Sequence, residues 1–278
     1  MARHAEFDEI GYWSEVKLEI IKKYATAYSK ILSKRSELRH IYIDAFSGAG
    51  KHISRTTSDF VAGSPVNALE VRPPFHEYHF VDLDSIKVAR LRAVAGERQD
   101  VKIYEGDCNV VLPKQILPTL AYSSFRRALC LLDPHGLHLD WHVIAMAGKL
   151  GTVDMFLNFP VTDMNRNVLW REPERASVDQ IARMTQLWGD ESWRGAVYEQ
   201  HDTLFGPGLK KKHDANALLA EAFRRRLQDV AGFEYVPTPM PMRNSVNAVV
   251  YYLYFASPKA VAVGIVEDIF SKYAGYGE

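Results

Sequence analysis

Short apolar runs in this chain alternate with segments of helical periodicity, and this alternation restricts the possible folds more than any other feature. Five such runs end in a polar or glycine-rich turn: residues 40–46, 78–83, 101–104, 128–132 and 153–159. Helical segments separate them, so we expect the strands to run parallel with both faces of their sheet covered. The sequence therefore predicts a doubly wound α/β sheet.

The segments on either side of these runs predict additions to that sheet. Trp13, Val16, Ile20 and Tyr24 recur at helical spacing, which predicts an N-terminal helix over residues 12–33. Residues 161–230 are predicted to form a mostly helical insertion, with a turn at 206–208, on the acceptor or partner side. Two last strands, at 233–236 and 249–255, are predicted to pair antiparallel across a proline-rich turn at 237–241. The whole of residues 1–278 is interpreted as one domain.

Charge and cysteine content restrict the class of protein. Lys and Arg together number 34, as do Asp and Glu, so the chain as a whole has no strong attraction for nucleic acid or an anionic membrane. The basic run 210–212 leaves a local nucleic-acid contact open. Cys108 and Cys130 are too few for a disulfide framework or a four-cysteine zinc site. Residues 1–8 lack a signal-like apolar run, and no stretch is long enough to span a membrane. We expect a cytoplasmic protein.

Acidic and glycine residues at the strand ends predict a ligand site. The carboxyl ends of parallel strands meet at one edge of a sheet, where ligands of open α/β folds bind. Gly48 and Gly50 would let the backbone approach a ligand closely. Asp82 could accept hydrogen bonds from two ribose hydroxyls and Asp107 from an adenine amino group. Asp44 would give a negative field near an ammonium or sulfonium.

Three ligand classes compete for this edge. A phosphate-binding loop would need glycine at position 45 and serine or threonine at position 52, where the chain has Ala45 and His52. A nicotinamide or flavin fingerprint would need glycine at position 53, which is Ile53. S-adenosylmethionine (AdoMet) fits the ordered acids and glycines best, so it is the predicted cofactor.

Taken together, the motifs resemble those of the three-Cys-motif partner proteins. The matching segments are Tyr-Ile-Asp-Ala-Phe-Ser-Gly-Ala-Gly at 42–50, Gly-Ser-Pro at 63–65, Phe-Val-Asp-Leu-Asp at 80–84, Gly-Asp-Cys-Asn at 106–109, Leu-Asp-Pro-His-Gly-Leu at 132–137 and Asn-Phe-Pro at 158–160. The resemblance runs from about residue 12 to the C-terminus. It implies a Rossmann-like methyltransferase fold and a Cys-rich partner protein. Phe46 and Cys108, inside these motifs, are predicted to contact the cofactor.

The segment 133–136 is also similar to the Asp-Pro-Pro-Tyr signature of adenine-N6 methyltransferases, with His135 and Gly136 as departures. By that similarity Asp133 and a backbone carbonyl at Pro134 would hold an acceptor amine. Asn158 and Phe159 would lie behind them, with the Phe159 ring available for stacking. The predicted reaction is methyl transfer to nitrogen or oxygen, with a nucleobase amine as one acceptor. His135 and Arg166 are predicted to face the substrate or partner.

Two other interpretations stay open at this point. The chain could be a non-catalytic or partner-dependent module that binds AdoMet without turning it over. It could also be a metal-dependent hydrolase that uses the cluster of His135, His138, Asp140 and His142. The more ordinary interpretation of those histidines is that they lie at the surface or behind the site, and no metal ligand is predicted.

Overall fold

The computed structural model describes residues 8–203 and 206–274. Its strands are β1 Glu9–Ile10, β2 Arg39–Asp44, β3 Lys51–Ser54, β4 Phe60–Ala62, β5 Glu77–Asp82, β6 Val101–Glu105, β7 Arg126–Leu132, β8 Val153–Phe159, β9 Tyr198–Thr203, β10 Gly206–Lys211, β11 Met240–Arg243 and β12 Val249–Ala256. Its α-helices are α1 Tyr12–Leu32, α2 Ser64–Glu70, α3 Ser85–Ala95, α4 Cys108–Val111, α5 Trp141–Leu150, α6 Val161–Asn167, α7 Val178–Trp188, α8 Trp193–Val197, α9 Ala215–Asp229 and α10 Ala260–Tyr273. A π-helical turn, Leu112–Ile116, and 3₁₀ turns at Leu117–Leu120, Tyr122–Ser124 and Pro173–Arg175 complete the described elements.

Seven strands form the central sheet, in the spatial order β11-β12-β8-β7-β2-β5-β6. All neighbours from β8 to β6 pair parallel, and β12 lies antiparallel to both β8 and β11. Numbered by chain order within the sheet, the strands read 6-7-5-4-1-2-3, so the order reverses between β2 and β7. This is the doubly wound sheet of Rossmann-like methyltransferase type, with an antiparallel last strand, and the predicted fold class is confirmed.

Two apolar cores lie on the two faces of this sheet. One face is covered by α1, α2, α3 and α10. The other is covered by α4, α5 and the helices that follow β8. Helix α1 belongs there because its apolar stripe is buried, with Ile20 and Tyr24 almost wholly inaccessible. The N-terminal helix was predicted correctly, to within a residue at each end.

Three predicted segments differ from the structure. The loop at 51–63 contains the hairpin β3–β4, whose strand β3 also pairs with β1. The insertion at 161–230 is not uniformly helical, since β9 and β10 form an antiparallel hairpin through the predicted turn at 206–208. The strand before β12 is Met240–Arg243, whereas residues 233–236 contribute only one isolated bridge, from Tyr235 to Ser257. Pro241 is tolerated in β11 because that strand lies at the sheet edge, where one N–H is not required.

No described helix combines the length and the apolar character needed to cross a membrane.

Candidate functional site

The loop after β2 is tied to the end of β5 by its backbone. The Gly48 N–H donates to Oδ2 of Asp82 at 2.7 Å, and the Asp84 N–H donates to Oδ1 of the same carboxylate at 2.9 Å. Gly48 has φ +64°, and a Cβ added there would meet no heavy atom within 4 Å. The structure thus gives Asp82 a loop-holding role, while two of its four lone-pair sites stay available. Gly48 opens directly onto the cavity beside it.

Gly50 has a different role from the predicted one. Its φ is +82°, and a Cβ there would contact Val66 and Leu91 at 3.4 and 3.5 Å, which belong to packed helices and not to the cavity wall. Its carbonyl accepts the Gly63 N–H at 2.8 Å. Gly50 is therefore required for the turn itself and does not cradle a ligand, which corrects the prediction of direct cofactor contact.

Asp44 is buried beneath this loop. One oxygen accepts the Phe46 N–H at 3.2 Å, and the other, Oδ2, is buried without a hydrogen bond. Burial raises the pKa of Asp44 to about 7, against the lowering effect of the nearby Ser64 hydroxyl and the Phe46 N–H. A buried polar atom without a partner is costly unless something else satisfies it. Asp44 is thus poised to respond to a positive charge or a donor placed above the loop.

A second group of predicted residues lines the neighbouring part of the edge. Asp107 is the N-cap of α4, and its side chain accepts the Asn109 N–H at 2.9 Å. Cys108 is buried beside it, and burial raises the pKa of its thiol to about 12, so the thiol stays protonated. Asn109 was not predicted, although its side chain donates to the His138 carbonyl and accepts the Asp140 N–H, which fixes the loop after β7.

These residues line two adjoining cavities of about 440 and 270 Å³ at the carboxyl edge of the sheet. Phe46, Leu83 and His138 line both, so the two form one cleft at the point where the strand order reverses. Leu83 was not predicted, and its side chain is 75% exposed between the two parts. The combined space is in the range of pockets that hold drug-sized ligands. We call it the edge cleft.

The acceptor side of the edge cleft is built on Asp133, which follows β7. Its Oδ2 accepts from Nζ of Lys17 at 2.5 Å, and its Oδ1 accepts from Nδ2 of Asn158 at 2.8 Å. Burial raises the pKa of Asp133, but the charge and hydrogen bond of Lys17, with His135 and Asn158, outweigh burial and leave it lowered. The carboxylate is therefore ionised and held in place from two sides.

Lys17 is the main residue of the site that the sequence analysis missed. It lies on the apolar face of α1 and is buried, with its side chain 8% exposed. A signal was present, because position 17 falls between Trp13 and Ile20 on the stripe that was predicted to be apolar. A charged residue on a buried stripe needs a partner, since an isolated buried charge is strongly unfavourable.

Other predicted acceptor residues do not all reach the edge cleft. The Phe159 ring is fully buried and packs against Phe223 and Tyr254 at centroid distances of 4.5 and 5.6 Å, so it does not present a stacking surface to an acceptor. Pro134 is buried and does not line either cavity. Arg166 is exposed on α6 and lines neither cavity. His135 is exposed and does line the larger one.

The histidine cluster is dispersed by the fold. His138 lines the edge cleft, while His142 lies on α5, 3.7 Å from a carboxylate oxygen of Asp140. Among residues 8–203 and 206–274, no group of three or more His, Cys, Asp or Glu side chains is arranged to hold a metal ion.

The basic run at 210–212 lies in a separate cavity of about 750 Å³ between the hairpin β9–β10 and α9. The Lys211 ammonium donates to Asn165 and to the Leu169 carbonyl, and the Lys212 ammonium donates to the Gly195 carbonyl. Two of the three lysines therefore hold the insertion together. Although this cavity is larger than the edge cleft, it lacks the buried acids that make the cleft chemically distinctive.

Comparison with solved structures supports the fold. Protein LPL1258 from Legionella pneumophila superposes with a TM-score of 0.54 at 12% identity, over 94% of this chain and 92% of that one. A protein from Listeria monocytogenes, provisionally named an S-adenosylmethionine-dependent methyltransferase, gives 0.41 at 12% identity, over 83% and 97%. The N-terminal domain of EvdMO1, solved with S-adenosylhomocysteine (SAH) bound, gives 0.40 at 11% identity, over 86% and 81%. No protein-family model and no curated protein matches the sequence.

Proposed function

We propose that this protein is an AdoMet-dependent methyltransferase that acts on a nitrogen or oxygen acceptor. The observation that carries the proposal is the edge cleft at the strand-order reversal of a methyltransferase-type sheet. Gly48, Asp82 and Asp107 stand along one side of it, and the ionised Asp133 stands at the other. A charged nucleoside requires this combination of open backbone and separated carboxylates.

The residues present fit that cofactor. Gly48 leaves open space where any side chain would project, so the backbone of the loop is accessible. The free lone pairs of Asp82 suit the ribose hydroxyls, and Leu83 with Asp107 suits the adenine end in the smaller cavity. The unsatisfied oxygen of Asp44 provides a negative pole beneath the loop, as the sequence predicted for a sulfonium.

The chemistry on the acceptor side falls to Asp133 and its partners. The cofactor, when bound, supplies an electrophilic methyl group on a sulfonium sulfur and leaves as a neutral thioether. Asp133 can accept a hydrogen bond from an acceptor N–H or O–H and so orient its lone pair. With a lowered pKa the carboxylate is a weak base, so we assign it orientation and leave the acceptor proton to water.

The partner and the acceptor are proposed on the resemblance alone. A Cys-rich partner protein would act with this chain, and a nucleobase amine is the favoured acceptor. One observation also favours a partner-dependent module: Gly136 replaces the aromatic of the similar signature, and Phe159 is consumed by the core. The Asp-Pro-His-Gly turn therefore offers no stacking ring, and a partner could complete the acceptor side.

Calorimetric titration with AdoMet and SAH tests the cofactor assignment. We expect both to bind, and we expect Asp82→Ala to weaken binding by ~1–3 kcal/mol because donors lose their acceptor. Absence of binding to the native protein would contradict the proposal. Transfer of labelled methyl groups to DNA and RNA oligonucleotides, with and without the Cys-rich partner, then separates an autonomous enzyme from a partner-dependent module.

A further inference from the structure

The acceptor end of the edge cleft contains a positive charge as well as a negative one. The Lys17 ammonium is 2.5 Å from Oδ2 of Asp133 and 5.2 Å from the centroid of the Tyr251 ring. The side chains of Lys17 and Asp133 are only 8% and 26% exposed. Water therefore screens the pair much less than it would screen an exposed ion pair.

The pair is held by the fold and does not depend on a bound ligand. The Tyr251 hydroxyl donates to the Trp13 carbonyl at 3.0 Å, which fastens the first turn of α1 to β12. Further along α1, the Tyr24 hydroxyl donates to Asp154 in β8 at 2.6 Å. Lys17 lies between these two attachments, so its ammonium is delivered to Asp133 by a fixed helix.

This arrangement changes what the acceptor end can attract. A lone carboxylate in a poorly solvated cleft would favour a protonated alkylamine, which has no lone pair with which to attack a methyl group. With Lys17 beside it the pair carries no net charge, and a second ammonium would meet repulsion from the first. The free lone pairs of Asp133 can still accept a hydrogen bond from an uncharged N–H or O–H group.

We propose that Lys17 is a positioning and specificity-determining residue that makes the acceptor end select an uncharged nucleophile over an alkylammonium group. The inference rests on the proposed function, and it deepens that function by naming the acceptor class. Aromatic or amide-like amines and hydroxyls belong to the selected class, whereas the side chain of a substrate lysine does not. Lys17 acts through Asp133, which it keeps ionised and fixed.

Sinefungin provides a test that needs no knowledge of the acceptor. In this cofactor analogue a CH–NH₂ group replaces the S–CH₃ group, so an ammonium stands where the methyl group would be. SAH has no charge at that position. The ratio of the two dissociation constants therefore reports the charge at the acceptor end, and the SAH constant alone reports the cofactor site.

We would measure both constants by calorimetry at about pH 8 for native protein, Lys17→Met, Lys17→Arg and Asp133→Asn, after checking folding by circular dichroism. Lys17→Met should tighten sinefungin about tenfold or more while SAH changes less than about threefold, because Asp133 loses its counter-charge. Lys17→Arg should retain the native ratio. Asp133→Asn should weaken sinefungin about tenfold relative to SAH, because Lys17 is then uncompensated.

The outcomes are distinguishable. An unchanged ratio in Lys17→Met, with SAH binding intact, would overturn the inference and leave the proposed function standing. If Lys17→Met does not fold, an unchanged ratio in Asp133→Asn would overturn the inference in the same way. Failure of native protein to bind SAH would overturn the proposed function and the inference with it.

Discussion

At the scale of single residues, Gly48 is the position where backbone conformation and ligand access coincide. Its φ of +64° favours glycine, and no heavy atom lies within 4 Å of an added Cβ. We expect Gly48→Val to lose at least ~1–2 kcal/mol of stability, because a left-handed conformation disfavours side chains. The valine would also project into the edge cleft, so SAH affinity measured by calorimetry should fall at least about tenfold.

A matched glycine separates the two effects. Gly151 has φ +62°, also has no heavy atom within 4 Å of an added Cβ, and ends α5 at the opposite edge of the sheet. Gly151→Val should lose similar stability and keep native SAH affinity. Equal loss of binding in both variants would show that Gly48 affects the cofactor only through stability.

Single residues also show where sequence reasoning succeeds and fails. Asp44, Asp82 and Asp107 were located from strand-end positions, because parallel strands bring their carboxyl ends to one edge. Gly50 and Phe159 were misassigned because motif position does not say which way a side chain or a missing Cβ points. Lys17 was missed because its partner is 116 residues away, and no local pattern contains that distance.

At the scale of elements, a buried carboxyl group joins α1 to the sheet. Asp154 in β8 accepts from the Tyr24 hydroxyl and from the Ser257 hydroxyl, both at 2.6 Å. Burial raises the pKa of Asp154 to about 6, although the hydrogen bonds from Ser257 and Tyr24 lower it. Because the folded pKa is above the unfolded value of 3.8, the protonated form is favoured by folding. Its contribution is complete below about pH 4 and is lost as pH rises through about 6.

Asp154→Asn should therefore make the protein more stable at high pH. The amide mimics the neutral acid, so we expect a gain of up to about 3 kcal/mol at pH 8 and little change near pH 4. Urea denaturation at both pH values measures the difference, and Asp59→Asn on an exposed turn is the control. The loss of stability that remains above pH 6 in the variant would belong to Asp44, whose pKa is raised to about 7 by burial. A variant less stable than native at pH 8 would contradict this account.

Elements differ in how well the sequence predicts them. Long buried strands and α1 were predicted because their periodicity is strong over many residues. The hairpins β3–β4 and β9–β10 were missed because short, exposed strands carry little apolar alternation. The edge strand β11 was misplaced because Pro237 and Pro241 suggested a turn, and only its position at the sheet edge makes Pro241 acceptable.

At the scale of the whole molecule, the two edges of the sheet are specialised differently. The carboxyl edge carries the cleft and its unsatisfied buried oxygen atoms, on Asp44 and Asn158. The amino edge carries Glu77, whose carboxylate receives both Arg126 guanidinium nitrogens at 2.8 and 2.9 Å and the Lys102 ammonium at 3.2 Å. These partners come from three adjacent strands, β5, β6 and β7, or their neighbours across β2. The arrangement connects the strands at the edge farthest from the ligand.

Glu77→Gln should separate stability from ligand binding. Burial raises the pKa of Glu77, but the hydrogen bonds and charge of Arg126, with Lys102, bring it to about 2. Because the folded pKa lies below the unfolded value of 4.5, its stabilising contribution is present above about pH 4.5 and is lost as pH falls through about 2. The variant should lose on the order of 3 kcal/mol at pH 7 and little at pH 2, measured by urea denaturation. Its SAH affinity at pH 7 should stay native, since the amino edge does not touch the edge cleft. Glu70→Gln removes an exposed pair with Lys22 and should cost less than ~1 kcal/mol. Loss of SAH affinity in folded Glu77→Gln would mean that the two edges are coupled and would refute this division of roles.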